Sequence, residues 1–423
     1  MTLPTIGFAG MTHLGLVSGV CAAEKGFHLI CFDQNKNKIE ELNAGQLPVS
    51  EPQLDELVSK NKERILFTSD PLDLAKCDVV YVAPDIPTDD LGKSDLEPID
   101  QLLNLVFETS RENAVVVVLS QVPPGFSRER MRADRKYYYQ VETLIFGRAV
   151  ERALYPERYI VGCADTEKPL PQAYDTFLKA HECPILKMRY ESAELAKISI
   201  NMCLVASVTT ANTLAELCEK IGADWAEIVP ALKLDKRIGE YSYLAPGLGI
   251  AGGNLERDLA TVCNFADKYG TDAGVVRSWI ANSNHRRDWP IRVLHEEVLS
   301  NNPHAVVGVW GLAYKQDTHS IKNSPSIALL KGITDIPVRV FDPVVPATVV
   351  PNKTCIASNN ELEVCDEADV LIIMTPWPQF SKVSPKEVAQ RMKGKIVIDP
   401  YKVLDAKACR TAGLQYFTLG VAA

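Results

Sequence analysis

The feature that most constrains this chain is a pattern that occurs twice: a short apolar strand, a glycine, a helical segment and a second strand that ends on an aspartate. The first copy runs from Thr5–Gly10 to a strand that ends on Asp33. The second runs from Ala305–Gly311 to a strand that ends on Asp342. Continuous apolar strands that alternate with helices are typical of buried parallel sheets built from βαβ units. The pattern therefore predicts an α/β protein with two doubly wound, Rossmann-like domains.

Further apolar runs extend both copies, and the segment between them has a different character. The runs are Asp78–Val82, Ala114–Leu119, Val370–Met374 and Lys395–Asp399. No proline or glycine interrupts Glu191–Ile221, which is long enough for one helix of about eight turns. We therefore expect three domains, at residues 1–190, 191–295 and 296–423, with the long helix as the spine of a central helical domain. Such a helix either forms a dimer surface or packs as a layer on one α/β domain, and the pattern favours neither.

Composition excludes several classes of protein. The 423 residues carry a formal charge of −9 and are 46% hydrophobic and 23% charged, which argues against disorder and against a nucleic-acid-binding surface. The eleven cysteines form no CxxC pair and the seven histidines no cluster, so we expect neither a metal site nor a disulfide framework. No uninterrupted apolar run approaches 18 residues and the chain starts without a signal-peptide pattern, so we expect a cytosolic protein without a membrane partner.

Two smaller features are given structural interpretations. Tyr137-Tyr138-Tyr139 follows several basic residues, and in an acidic chain we interpret it as a mobile surface loop. Cys203 and Cys218 lie on the expected spine helix and are predicted to fill the core.

The first strand–helix turn resembles a dinucleotide-binding fingerprint with one substitution. In Gly10-Met11-Thr12-His13-Leu14-Gly15 the outer glycines of GxGxxG are present, but Thr12 replaces the middle one. The Cβ of Thr12 narrows the approach to a pyrophosphate, while its hydroxyl offers a hydrogen bond. Asp33 stands where a carboxylate accepts from the ribose hydroxyls and repels a 2′-phosphate, which favours NAD over NADP. The alternative is a turn of the same shape that binds no nucleotide.

A series of motifs along nearly the whole chain resembles the UDP-glucose/GDP-mannose dehydrogenase family. After the Gly10 turn and Asp33, the motifs are Glu51-Pro52-Gln53-Leu54, Val122-Pro123-Pro124-Gly125, Tyr155-Pro156-Glu157-Arg158, Glu194-Leu195-Ala196-Lys197 with Asn201, Pro246–Gly253, Gly311–Lys315 and Thr375–Phe380. The resemblance implies an N-terminal NAD domain, a central helical dimer domain and a C-terminal nucleotide-sugar domain. It also implies oxidation of a sugar primary alcohol to a carboxylate by two hydride transfers to NAD, through a cysteine thioester.

The resemblance assigns roles to individual residues. Lys197 and Asn201 match a pair that steadies the alkoxide, Asp258 an acid that positions a catalytic water, and Glu142 a glutamate that handles the hydrolytic water. The expected cofactor contacts are Gly10, Thr12, His13, Leu14, Gly15, Asp33 and Gln121. The expected substrate contacts are Arg237, Leu248, Gly249, Gly252, Gly253 and Lys315, with Arg237 reaching the substrate of the partner subunit.

Three departures concern the hydrolytic half of that mechanism. Asn254 occupies the position implied for the nucleophilic cysteine, and an amide cannot form a thioester. The nearest cysteine, Cys263, lies nine residues further on, about 13 Å along a helix. Gln121 replaces a water-orienting threonine, and the residues around Glu142 differ from the family motif. The residues implied for hydride transfer are largely retained.

Two hypotheses follow from this asymmetry. The first is an NAD-dependent enzyme acting on C6 of a UDP-, GDP- or CDP-hexose that stops at the aldehyde or its hydrate, oxidises reversibly, or reaches the acid without covalent capture. The second is a catalytically silent homologue that binds NAD or a nucleotide sugar as a regulator or assembly partner. Retention of Lys197, Asn201 and Asp33 favours the first.

Overall fold

A computed structural model describes residues 2–89, 94–142 and 144–422. The chain forms two compact units, residues 1–200 and 201–423, and the boundary between them falls within one long helix. The expected boundaries near residues 190 and 295 stay a prediction.

The first unit is built on an eight-stranded sheet. Its strands are β1 (Ile6–Ala9), β2 (Leu29–Phe32), β3 (Ile65–Thr68), β4 (Val79–Val82), β5 (Val115–Val118), β6 (Lys136–Gln140), β7 (Tyr159–Cys163) and β8 (Ile185–Arg189). They lie in the order β3-β2-β1-β4-β5-β6-β7-β8, and every pair is parallel except β6–β7. The strand order reverses between β1 and β4, the position at which doubly wound sheets bind ligands beyond their carboxyl ends.

Helices cover this sheet and bury continuous apolar strands between them. They are α1 (His13–Glu24), α2 (Lys36–Asn43), α3 (Leu54–Lys60), α4 (Glu97–Thr109), α5 (Phe126–Arg130), α6 (Ala149–Leu154), α7 (Gln172–Lys179) and the start of α8 (Tyr190–Ile221). All four residues of β1, β2, β4 and β5 are buried, as expected of parallel strands covered on both faces. The strands predicted from the first copy of the pattern are thereby confirmed.

The second unit combines a helical layer with a six-stranded sheet. Its helices are the rest of α8, α9 (Trp225–Leu234), α10 (Asn254–Tyr269), α11 (Gly274–Arg287), α12 (Trp289–Leu294), α13 (Pro325–Gly332), α14 (Glu361–Val364), α15 (Pro385–Arg391) and α16 (Ala406–Thr411). The strands are β9 (Val307–Trp310), β10 (Val338–Phe341), β11 (Cys355–Ala357), β12 (Val370–Ile373), β13 (Ile396–Ile398) and β14 (Gln415–Phe417). They are all parallel, in the order β11-β10-β9-β12-β13-β14. Two Rossmann-like sheets and a helical middle with a long helix are therefore present, as predicted.

Two minor expectations are wrong. Tyr137–Tyr139 is not a surface loop but lies in β6, where the side chains of Tyr137 and Tyr139 are buried. Cys218 is buried as expected, whereas Cys203 is exposed on α8.

The long helix α8 is also apolar enough to cross a membrane by length and composition alone. Its most apolar window of 18 residues has a mean hydropathy of 1.3, and 33% of that window is buried within the protein. Core helices of globular proteins meet the same two criteria, so this feature is weak evidence of a membrane segment.

A buried charge cluster joins four segments of the second unit. The Arg286 side chain on α11 is fully buried and lies 3.0 Å from Glu219 and 3.2 Å from Glu216, both on α8. Glu219 also accepts from the indole of Trp289 and from the backbone N–H of Gly420. The cluster therefore ties the central helices to the last residues of the chain.

We predict that Arg286→Met destabilises the second unit by about 3–5 kcal/mol, because it leaves two carboxylates without their buried cation. All five tryptophans lie between residues 225 and 377, so urea unfolding followed by tryptophan fluorescence reports on this unit. The matched control is Arg277→Met on the same helix, which removes an exposed ion pair with Asp267 and is expected to cost less than about 1 kcal/mol.

The pH dependence of this difference provides a second check. Burial alone would raise the pKa of Glu216, but the hydrogen bond from His285 and the charges of Arg286, His285 and Arg292 outweigh it and hold that pKa below its ordinary value of 4.5. The stability that Glu216 contributes is therefore present above pH 4.5 and is lost as the pH falls through the lowered value. Equal destabilisation by both variants, or a gap that does not narrow in acid, would contradict the assigned role of Arg286.

Candidate functional site

The turn between β1 and α1 has backbone geometry that requires two of its glycines. Gly10 has φ +98°, and a Cβ there would lie 2.9 Å from the backbone N of Pro84. A Cβ on Gly15 would lie 2.0 Å from the carbonyl oxygen of Gly10. The first glycine thus permits the tight turn, and the last permits the helix to begin directly beside it.

Thr12, which replaces the middle glycine, fits this turn without strain. Its φ of −94° is accessible to any residue, and its hydroxyl donates to the carbonyl of Ala83 at the end of β4. The side chain therefore does not cap α1, and the first amides of this 12-residue helix stay open as far as the described residues are concerned. Open N-terminal amides beside a glycine turn fit a pyrophosphate.

Asp33 holds the same turn from the end of β2. One of its carboxylate oxygens accepts from the backbone N–H of Met11 and from Lys38 Nζ, each at 2.8 Å, and the other accepts from Asn35 N. Three donors leave capacity on a two-oxygen carboxylate for ribose hydroxyls. The residues present therefore fit NAD.

The corresponding aspartate of the second sheet is fully committed to the protein. Asp342 accepts from the backbone N–H groups of four residues and from the indole of one more. These residues are Leu312, Ala313, Val344, Val345 and Trp377. Five donors saturate the carboxylate, which supports the expectation that this turn has a different ligand.

His13 belongs to a network that fixes a loop over the start of α1. Its Nε2 lies 2.8 Å from Glu51, whose side chain is fully buried and also accepts from Gly147 N and Ala149 N. The imidazole packs against Phe146, with 4.2 Å between ring centroids. Of the expected cofactor contacts, Leu14 is buried beneath this turn, while Gln121 is half-buried after β5.

Lys197 and Glu142 also lie in the first unit. Lys197 is half-buried on α8 and makes no hydrogen bond or ion pair among the described residues. Glu142 follows β6 and lines a cavity of about 50 Å³ with Gln140 and Arg152.

In the second unit, Asn201 and Asp258 form a buried pair. Asn201 Nδ2 donates to Asp258 Oδ2 at 2.5 Å, and Asp258 is 1% exposed. The Arg257 guanidinium lies 3.4 Å from the other carboxylate oxygen. Asn201 stands one turn after Lys197 on α8, so the helix presents both on one face.

The glycine-rich loop before α10 packs closely against its neighbours. A Cβ on Gly249 would lie 2.3 Å from Ser283 O, and one on Gly252 would lie 2.5 Å from the Tyr314 ring. Gly253 has φ +97° and lies over the aliphatic part of Lys322. Asn254 is the exposed first residue of α10, one turn before Asp258.

The other expected substrate contacts differ in accessibility. The Leu248 side chain is 2% exposed within the core, so only its backbone is available to a ligand. Lys315 Nζ lies 5.8 Å from the centre of the Tyr314 ring. Arg237 is largely exposed and forms a two-point ion pair with Asp235.

Four residues near these sites received no role from the sequence: Glu51, Phe146, Glu194 and Lys38. Glu51 and Glu194 belong to motifs that carried the family resemblance, but their partners are backbone amides about 70 to 100 residues away. Only Lys38 carried a local signal, since it stands five residues after Asp33.

Comparison with protein families places three domains along the chain. Residues 4–177 match the NAD binding domain of the UDP-glucose/GDP-mannose dehydrogenase family, residues 191–285 its central domain, and residues 308–406 its UDP binding domain.

Individual relatives cover nearly the full length. The UDP-glucose 6-dehydrogenase of Rickettsia conorii is 27% identical over 438 aligned positions, which include 98% of this chain and 99% of that protein. The structure of a UDP-glucose dehydrogenase from Pyrobaculum islandicum superposes with a TM-score of 0.86 at 25% identity and covers 100% of this chain and 98% of its own. A UDP-D-ManNAc dehydrogenase from Pyrococcus horikoshii shares the fold, with a TM-score of 0.84, 22% identity, and coverage of 98% and 99%.

We predict that Gly15→Ala weakens NAD binding by roughly tenfold or more, because the added methyl group must displace the backbone of the Gly10 turn. Isothermal titration calorimetry with NAD measures this loss without any substrate.

The control is Thr12→Gly, which restores the middle glycine and is expected to change the affinity by less than about threefold, since Thr12 is unstrained and caps nothing. Unchanged NAD affinity in a folded Gly15→Ala protein would show that the turn does not hold the cofactor.

Proposed function

This chain belongs to the UDP-glucose/GDP-mannose dehydrogenase family, and from that premise we propose that it oxidises the C6 primary alcohol of a nucleotide sugar without the family's thioester step. Its cofactor is NAD. The observation that carries the proposal is that Asn254, an amide, opens α10 one turn before the buried Asp258.

The residues for the first oxidation are present. NAD held by the Gly10 turn and Asp33 would supply the acceptor for the hydride from C6, and the hydroxyl proton would pass to a base or to solvent. The Lys197 ammonium and the second N–H of the Asn201 amide supply donors for the oxygen that gains negative charge. Asp258 supports this role because its hydrogen bond fixes the orientation of that amide.

A residue for covalent capture is lacking at the corresponding position. Asn254 has no thiolate to attack the aldehyde, and Cys263 is 7% exposed within the core of the central helices. The aldehyde would therefore leave, be hydrated, or be reduced again. Oxidation of the hydrate by a second NAD is the route that reaches the acid without a thiol.

The second sheet and the glycine loop support a nucleotide sugar as the substrate class. Gly252 and Gly253 have positive φ, and the packing of Tyr314 and Lys322 against them places both side chains beside the loop. Close backbone approach and a lysine suit a diphosphate. His319, Ser320 and Lys322 replace the Asp, Asp and Arg that the family resemblance implies, so we propose no particular base or sugar.

The proposal predicts one NADH per sugar consumed, because capture and hydrolysis of the aldehyde are missing. Purified protein is incubated with NAD and a panel of UDP-, GDP- and CDP-sugars, NADH is counted by absorbance, and products are identified by mass spectrometry. Two NADH per sugar would show that the acid is formed without a thiol. No turnover with tight binding of NAD or a nucleotide sugar would instead support a silent homologue.

The variant Asn254→Cys is assayed in the same way as the wild-type protein. It is expected not to reach full four-electron oxidation, since Gln121 and the surroundings of Glu142 also depart from the family pattern. A variant that forms acid efficiently would show that Asn254 alone limits the reaction.

We also propose that the chain forms a homodimer through α8 and α9. Leu214, Leu217 and Ile221 are 40–64% exposed at spacings that place them on one face of α8. Leu234, on α9, is 84% exposed. Exposed apolar side chains along one helix face are typical of an interface, and a twofold pair would bury this face in both copies.

A dimer predicts a sedimentation mass of about twice 46.7 kDa for the full chain. Leu217→Glu combined with Ile221→Glu is expected to shift the protein towards monomer, because it places charges in the apolar face. The control is Ile356→Glu, which alters an equally exposed residue on β11. A monomeric wild-type protein at micromolar concentration would contradict the proposal.

A further inference from the structure

A buried carboxylate in the first unit has partners that the proposed chemistry does not use. Glu194, on α8, is 0% exposed. Its two oxygens accept from Gly125 N at 2.6 Å and from Ser127 N at 2.8 Å. These amides start the short helix α5, which has no local side-chain cap. Glu194 therefore holds the end of the loop that follows β5.

The neighbouring residues on the first turn of α8 strengthen the same junction. Glu191 pairs with Arg128 at 2.8 Å, and that guanidinium lies 5.0 Å from the centre of the Tyr190 ring. The Tyr190 hydroxyl donates to Tyr137 O at 2.6 Å. The start of α8 is thus fixed to both α5 and β6.

The other end of the loop is also fixed. The buried Ser120 hydroxyl donates to Pro84 O, which links the carboxyl ends of β5 and β4. Gln121 to Pro124 lie between the two attachments, so the position of Gln121 depends on both. Carboxyl ends of strands beside the β1/β4 reversal are where this fold binds its cofactor.

Lys197 lies three residues after Glu194, and side chains at this spacing are neighbours on a helix surface. Because a helix turn is rigid, the hydrogen bonds that fix Glu194 also fix the Cα position of Lys197. The anchored Glu194 carboxylate therefore determines how far the Lys197 ammonium lies from the loop that contains Gln121.

We propose that Glu194 is a positioning residue for the hydride-transfer step. It holds Lys197 at a fixed position relative to the carboxyl edge of the NAD-binding sheet. This inference rests on the proposed function for the role of Lys197. It requires acceptors at both oxygens, and the charged carboxylate binds the two amides most strongly. Burial raises the pKa of Glu194, and the hydrogen bonds from Ser127 and Gly125 act in the opposite direction.

Three variants separate positioning from charge and from general stability. Glu194→Gln loses the charge and one acceptor, while Glu194→Asp keeps the charge but is one methylene too short to reach both amides. Glu129→Gln is the control, because it removes a largely exposed carboxylate from α5, the helix that Glu194 anchors, without altering the acceptor of Gly125 or Ser127.

The first readout needs neither substrate nor cofactor. Each lysine is labelled with limiting acetic anhydride and quantified by mass spectrometry, with the exposed Lys168 as the internal reference. We expect both Glu194 variants to change the relative labelling rate of Lys197 by about threefold or more, and Glu129→Gln to change it by less than about 1.5-fold. Hydrogen exchange at Gly125 and Ser127 is expected to accelerate only in the Glu194 variants.

The second readout measures kcat and the affinity for NAD separately. With a substrate identified for the wild type, Glu194→Asp is expected to lower kcat by about 10- to 100-fold, while the Kd for NAD changes by less than about twofold because the variant leaves the Gly10 turn and Asp33 intact. Lys197 labelling in Glu194→Asp equal to that of wild type would overturn the proposal, since charge alone would then explain Glu194. Loss of NAD binding in parallel with kcat would assign Glu194 a purely structural role. A wild-type protein without turnover refutes the proposed function, whereas the labelling result still decides the positioning role.

Discussion

Carboxylates that accept backbone N–H groups are the interaction on which both sheets depend. Parallel strands end in loops whose amides lie outside the ladder and need partners when they are buried. In the first unit Glu51 and Glu194 supply them, and in the second Asp342 and Asp399 do. Each acid fixes a loop at the carboxyl end of a sheet, where ligands of this fold bind. Stability and site geometry therefore depend on the same side chains.

The corresponding carboxylates of the two sheets have different numbers of hydrogen-bond partners, although the two sequences follow one pattern. Asp33 and Asp342 both end a second strand and both accept from the residue after the turn glycine. Asp342 receives three further amides, from Ala313, Val344 and Val345, and an indole, whereas Asp33 keeps capacity for a ligand. A shared strand–glycine–helix pattern thus predicts a shared fold, but the number of donors around the acid decides which turn can hold a ribose.

The strands with continuous apolar runs and the long helix could be predicted, because period and composition are local properties. The interpretation of Tyr137–Tyr139 failed because it weighed the neighbouring basic residues above the strand propensity of tyrosine. Arg135 in fact donates hydrogen bonds to carbonyl groups at the end of α4, so its guanidinium caps that helix. Cys203 was misplaced because the phase of a 32-residue helix relative to its neighbours is set by tertiary packing. The roles of Glu51 and Glu194 depend on partners distant in sequence, which no local pattern encodes.

The predicted departures from the family pattern do not fall on this framework of carboxylates. Glu51, Glu194, Asp33 and Asp342 are all present and bonded, and so are Asn201 and Asp258. Asn254, by contrast, is exposed at the first position of α10, where a side chain can change without leaving a buried group unsatisfied. A substitution there costs the fold little, whereas loss of any framework acid leaves backbone amides without their acceptor. The physical constraint on this chain therefore preserves the carboxylate framework at the ends of the two sheets and leaves the exposed Asn254 free to vary.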